Sequence, residues 1–114
     1  MSQHEFLCRS EDLPEGKYHE LHYSVAGLTR YLVATRVEGQ AKAWYNRCPH
    51  AGQPFNAAPG QFLTDEHNHL ICAAHGAVFD PRSGRCVAGP CPRAVMTACP
   101  LLEEGGQVFA ADDF

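Results

Sequence analysis

No stretch of this 114-residue chain approaches the roughly 18 consecutive apolar residues that carry a helix across a bilayer, so a membrane is not an expected partner. Basic residues are also scarce. Nine lysines and arginines stand against thirteen aspartates and glutamates, for a net charge of −4. Nucleic acid is therefore not expected either, because phosphate contacts need a basic face. No G-x-G-x-x-G occurs, which leaves nothing to bind the dinucleotide of a hydride donor. Internal repeats, low-complexity tracts and capped helix-period segments are missing, apart from a possible single turn near Glu11. The opening Met1-Ser2-Gln3-His4-Glu5 lacks the basic region and apolar core of a secretory signal. A cytoplasmic location with reduced thiols is the expectation, and the length suits one domain with a modest core.

What the chain does contain is short alternation punctuated by turns. Leu21, Tyr23 and Val25 alternate with His22 and Ser24, and Tyr31, Val33, Thr35 and Val37 alternate with Leu32, Ala34 and Arg36. Both read as strands. Pro14-Glu15-Gly16, Ala26-Gly27 and Glu38-Gly39-Gln40 read as turns between strands. The C-terminal part predicts a strand over 94–99, a turn at Glu103-Glu104-Gly105-Gly106 and a strand over 107–111. An all-β fold follows.

Two clusters carry the chemistry. Cys48-Pro49-His50 and Cys72-Ala73-Ala74-His75-Gly76 each place one thiolate and one imidazole within reach of a single point. Pro49 restricts the backbone at Cys48, and Gly76 gives the chain room to pass a bulky group. Together they form a four-ligand metal set. Six cysteines could instead form a disulfide framework with about 15 pairings, but a reducing compartment opposes it. Two thiolates and two imidazoles also make an acceptable tetrahedral zinc set. Zinc spacings usually pair Cys with Cys and His with His, whereas each cluster here mixes the two. Mixed pairs suit two irons that each draw one ligand from each loop.

Beyond the second cluster the chain runs Ala77-Val78-Phe79-Asp80, then Pro81-Arg82-Ser83-Gly84, then Arg85-Cys86-Val87-Ala88-Gly89-Pro90. The two clusters and this order of aromatic-Asp, Gly turn and Gly-Pro resemble the signature of the Rieske iron–sulfur family, strongly over about residues 45 to 92. The resemblance implies one 2Fe-2S cluster per chain, with Cys48 and Cys72 on one iron and His50 and His75 on the other. It implies an antiparallel β-sandwich with an inserted cluster-binding subdomain. Residues 1–114 would be a single domain, its base at about 1–45 and 93–114 and its cluster-binding part at about 46–92. In high-potential members the ligand loops are joined by a disulfide at the positions of Gln53 and Ala74, and a Ser and a Tyr donate hydroxyls at the positions of Ala77 and Phe79. This chain has neither device.

The function implied is that of a soluble Rieske-type ferredoxin, an electron carrier with no complete catalytic site of its own. Its partners would be a reductase and a terminal oxygenase. Two alternatives remain open: the small Rieske subunit of a nitrite reductase-like complex, and a zinc-stabilised interaction module. Docking is expected through a rim of Ala51, Pro54, Ala77 and Pro90 beside the histidines, with Asp65 and Glu66 steering a basic partner. His67 and His69 read as one face of a solvated hairpin more readily than as a second metal pair. Cys8 and Cys99 read as buried apolar residues, and plain packing is also expected of Cys86 and Cys91. Trp44 and Tyr45 read as core of the strand entering the site.

Overall fold

The computed structural model describes residues 4–49, 54–56, 58–73, 76–89 and 93–111. They fall into two compact units, one made of 1–45 with 98–114 and the other of 46–97.

The first unit holds two antiparallel sheets. One has the order β1-β11-β10, formed by β1 (Glu5–Arg9), β10 (Leu101–Glu104) and β11 (Gln107–Ala110). The other runs β2-β3-β4-β9, formed by β2 (His19–Val25), β3 (Leu28–Val37), β4 (Gln40–Tyr45) and β9 (Ala98–Cys99). Their facing sides enclose Cys8, Leu13, Tyr23, Leu32, Ala34, Ala43, Cys99, Val108 and Ala110, the core of a β-sandwich. Each fully buried Leu or Val contributes about 1.5–3 kcal/mol of transfer free energy to that core. Ala26-Gly27 and Glu38-Gly39 join the long strands as two-residue loops with both residues at positive φ, the geometry whose twist matches right-handed strands. The Glu15 carboxylate clamps the second loop by accepting the amides of Glu38 and Gly39 at 2.7 and 3.0 Å.

Sequence alternation is kept in β2, where Tyr23 is the buried residue. It fails in the middle of β3, where Leu32, Val33, Ala34 and Thr35 are all buried. β3 is a central strand, and the stretch before β2 continues along its edge, where Glu15 bridges Arg36. Thr35 Oγ1 donates to the Lys17 carbonyl at 2.8 Å, and the Gly16 amide donates to the Arg36 carbonyl. The turn near Glu11 is a 3-10 turn over Ser10–Asp12. At the C-terminal end, Glu103 and Glu104 belong to β10 and the turn is confined to Gly105-Gly106. The strand expected over 94–99 shortens to Ala98–Cys99. The physical reason is a change of partner: Ala94 and Met96 bond to Cys86 and Gly84, and only Ala98 and Cys99 pair with β4.

The second unit is a four-stranded antiparallel sheet of short strands, β5 (Leu63–Thr64), β6 (Leu70–Ile71), β7 (Val78–Phe79) and β8 (Cys86–Ala88), in that order. Its buried side chains include Phe55, Leu70 and Phe79, with the Phe55 and Phe79 rings edge to face at 5.4 Å. In chain order this unit is inserted between β4 and β9.

Candidate metal centre

The first ligand segment leaves β4 and returns through Phe55, and one side chain closes it. Asn46 Oδ1 accepts the Phe55 amide at 2.9 Å, while its Nδ2 donates to Asn56 Oδ1 at 2.8 Å. Asn56 Nδ2 in turn donates to the Ala58 carbonyl at 3.0 Å. An Asn suits this role because its amide both donates and accepts, so it can hold two strands of a loop that cannot bond to each other. Cys48 sits inside the closed loop with 0% exposure.

The second segment is closed by its own backbone. The Cys72 amide donates to the Ala77 carbonyl at 2.8 Å and the Gly76 amide donates to the Cys72 carbonyl at 2.9 Å. The chain reverses between β6 and β7 only because Gly76 takes φ +74, a conformation that costs an L side chain strain. Cys72 is also at 0% exposure. The two segments are tied directly, since the Ala73 amide donates to the Phe55 carbonyl at 3.1 Å.

A third stretch of chain packs against the second segment. Gly89, at φ +103, follows β8 so closely that a Cβ there would stand 2.8 Å from Ala77 Cα and 3.2 Å from the Gly76 carbonyl oxygen. Only glycine permits that approach. Ala77 and Phe79 are fully buried and bring no hydroxyl, so Ala77 is not part of the docking rim expected from the sequence.

This scaffold fits an iron–sulfur group. Cys48 and Cys72 are both fully buried and held by loops that are bonded to each other. A buried thiolate needs a compensating charge, which a metal supplies. His50 and His75 lie outside the described residues, as do Ala51, Gln53, Ala74, Pro90 and Cys91. Asn46 is the supporting residue that sequence reasoning missed, whereas Gly89 belongs to the Gly-Pro element already singled out in the sequence. Asn46 could have been noticed as an amide side chain placed just before the first cysteine at a strand exit.

The remaining residues of interest are elsewhere. Leu63–Thr64 and Leu70–Ile71 form a hairpin with a polar tip, in which Asp65 Oδ1 accepts the amides of His67 and His69 and Asp65 Oδ2 contacts His69 Nδ1 at 3.0 Å. Desolvation pushes the Asp65 carboxyl up, but these partners outweigh it and hold it below the usual aspartate value. Among the described residues no group of three or more His, Cys, Asp or Glu forms a further metal set. Cys8 and Cys99 are buried in the sandwich core. Burial first, and then the Asp12 carboxylate, push the Cys8 thiol up to about 11. Cys86 is buried, and its Sγ donates to the Ala88 carbonyl at 3.2 Å. Trp44 is buried, whereas Tyr45 is half-buried and shares a 2.9 Å hydrogen bond with the Tyr23 hydroxyl.

Comparison with known proteins places these features. The chain is 28% identical over 110 residues to cholesterol 7-desaturase of Caenorhabditis elegans, covering 90% of this chain and 24% of the relative. It thus spans about a quarter of the curated relative it matches. Among solved structures it is similar to the ferredoxin of Sphingomonas yanoikuyae B1, with a TM-score of 0.72, 22% identity, and coverage of 96% of this chain and 99% of the ferredoxin. It is also similar to a chain of the complex of reduced oxygenase and oxidised ferredoxin in carbazole 1,9a-dioxygenase, with a TM-score of 0.69, 19% identity, and coverage of 93% and 90%. The family model described as Rieske [2Fe-2S] domain matches residues 3–111, and with nearly the whole length so matched the chain belongs to the Rieske [2Fe-2S] family.

Proposed function

We propose that the chain is a Rieske-type ferredoxin, taking single electrons from a reductase and delivering them to a terminal oxygenase. A Rieske domain binds a 2Fe-2S cluster, which when bound supplies one reversibly transferred electron. Cys48 and Cys72 would hold one iron and His50 and His75 the other. The observation that carries this reading is the pair of fully buried cysteines on two mutually bonded loops, inside a chain that matches a Rieske domain from 3 to 111. The chain's own contribution is positional. Asn46 and the Cys72–Ala77 turn fix the thiols, while Phe55 and Phe79 exclude water behind them.

Docking through the face that carries His50 and His75 would be brief, as redox contacts are. The charge distribution revises the steering expected of acidic residues. Within 46–97 there are four arginines against three carboxylates, whereas ten carboxylates and five cations lie in the other unit. Asp65 is engaged in its own hairpin, so Glu66 remains the exposed acid of this unit.

A carrier reading is supported by the similarity to a solved ferredoxin, which the match spans almost entirely. A second reading comes from the desaturase, where the similar segment is part of a larger enzyme; the domain would then feed a catalytic site in the same polypeptide or complex. Reconstitution with a flavin reductase and candidate oxygenases distinguishes the two. A carrier turns over in trans with salt-dependent rates. Copurification with a large catalytic subunit, insensitive to salt, supports the fixed-component reading. A colourless protein containing zinc refutes both.

A further inference from the structure

The turn after β7 and the segment after residue 92 build a second feature. The Asp80 carbonyl accepts the Gly84 amide at 2.7 Å and the Asp80 amide donates to the Arg85 carbonyl at 2.9 Å, which closes the turn. Beyond it the Cys86 amide donates to the Ala94 carbonyl at 2.9 Å and the Met96 amide to the Gly84 carbonyl at 2.7 Å. Arg85 and Val95 are thereby left directly opposite one another in an antiparallel bridge. A cavity of about 330 Å³ opens here, its lining including Ser83, Arg85, Val87, Arg93, Ala94 and Val95.

Its chemistry is of two kinds. Arg85 and Arg93 have no ion-pair partner among the described residues. A guanidinium presents a planar fork that matches a carboxylate in a bidentate manner. Ser83 Oγ accepts the Arg85 amide at 3.3 Å, which leaves its O–H free to donate. Against these stand two apolar walls, Val87 at 52% and Val95 at 48% exposure. Wet valines beside unpaired cations gain from a ligand with an apolar body and an anionic head. The volume lies at the lower end of small-molecule sites, which run from about 300 to 1,000 Å³. We infer that this cavity binds a small organic carboxylate, with the anionic group on Arg85 and Arg93 and the apolar body against Val87 and Val95. Inorganic phosphate would satisfy the arginines and leave the valines wet, so it is the weaker ligand.

The test is isothermal titration of the cluster-loaded protein with benzoate, benzamide and inorganic phosphate. Saturable binding of one benzoate per chain is expected, at least tenfold tighter than benzamide and tighter than phosphate. R85Q or R93Q should weaken benzoate at least tenfold with the visible spectrum unchanged, and R85K should fall between. Arg85 and Arg93 are both exposed, so both variants are expected to fold. Benzamide binding as tightly as benzoate, phosphate binding at least as tightly, undiminished benzoate binding in R93Q, or no saturable benzoate binding at millimolar concentration would each overturn the inference.

Discussion

Asn46 Oδ1 accepts the backbone N–H of Phe55 at 2.9 Å, and this one bond joins the two ends of the loop that contains Cys48. Asn46→Ala leaves the Phe55 amide and the side-chain Oδ1 of Asn56 without these partners. An unsatisfied, partly buried group costs about 1–3 kcal/mol, so thermal denaturation should shift down by roughly 4 °C or more. Iron content after purification should fall with it. Asn46→Asp keeps the acceptor for Phe55 but loses the donor to Asn56, and should be intermediate.

Gly89 has a different vulnerability. Gly89→Ala puts a methyl 2.8 Å from Ala77 Cα at a φ of +103, and backbone strain of that kind costs about 1–3 kcal/mol before any steric displacement. The displaced backbone is that of the Cys72–Ala77 turn. Loss of iron and sulfide, measured on purified protein, is expected to exceed the loss produced by alanine at exposed Gly60, whose Cβ position is open.

The reduction potential should lie in the lower part of the roughly −150 to +300 mV range of Rieske centres. Ala77 and Phe79, both buried, stand where high-potential relatives have hydroxyls. Hydrogen bonds to a cluster favour its more negative, reduced form. A bond that favours the reduced state by about 1 kcal/mol raises a one-electron potential by roughly 40 mV. Voltammetry of Ala77→Ser and Phe79→Tyr should therefore show upward shifts of that order. A wild-type value near the top of the range would contradict the assignment.

The sandwich unit has its own pH response. Arg36 donates to both Glu103 oxygens, at 3.1 and 2.7 Å, and to the carbonyls of Leu13, Gly39 and Ser10. The Arg36 guanidinium holds the Glu103 carboxyl below the usual glutamate value, with a hydrogen bond from Ser10 as the next cause. A depressed carboxyl stabilises fully above its unfolded pKa of about 4.5, and that stability is lost as pH falls through the lower folded value. Denaturation followed from pH 7 to pH 3 should show Glu103→Gln less stable than wild type at neutral pH. The difference between the two should narrow below pH 4.5.

Much of this architecture was legible in the residues. Ala26-Gly27 and Glu38-Gly39 read as turns because hairpin loops demand positive φ, and the two cysteine clusters stood out by spacing alone. β3 was misleading in its centre because alternation reports one covered face, whereas Val33 and Thr35 are buried as well. The 94–99 segment read as one strand because its residues suit a strand throughout, while its change of partner at Thr97 depends on long-range pairing with Gly84 and Cys86. Gly89 was legible as part of the Gly-Pro element, but its close approach to Ala77 was not, and Asn46 acts through tertiary contacts that no local pattern encodes.

The central claim is that two imidazoles and two thiolates hold one 2Fe-2S cluster. Pulsed electron paramagnetic resonance on the reduced protein, labelled with 15N-histidine, tests it most directly. The account predicts nitrogen couplings from two histidine ligands, lost together with the native spectrum in His50→Ala and in His75→Ala. A native spectrum that persists in His75→Ala, or a reduced cluster with no histidine nitrogen coupling, would contradict it.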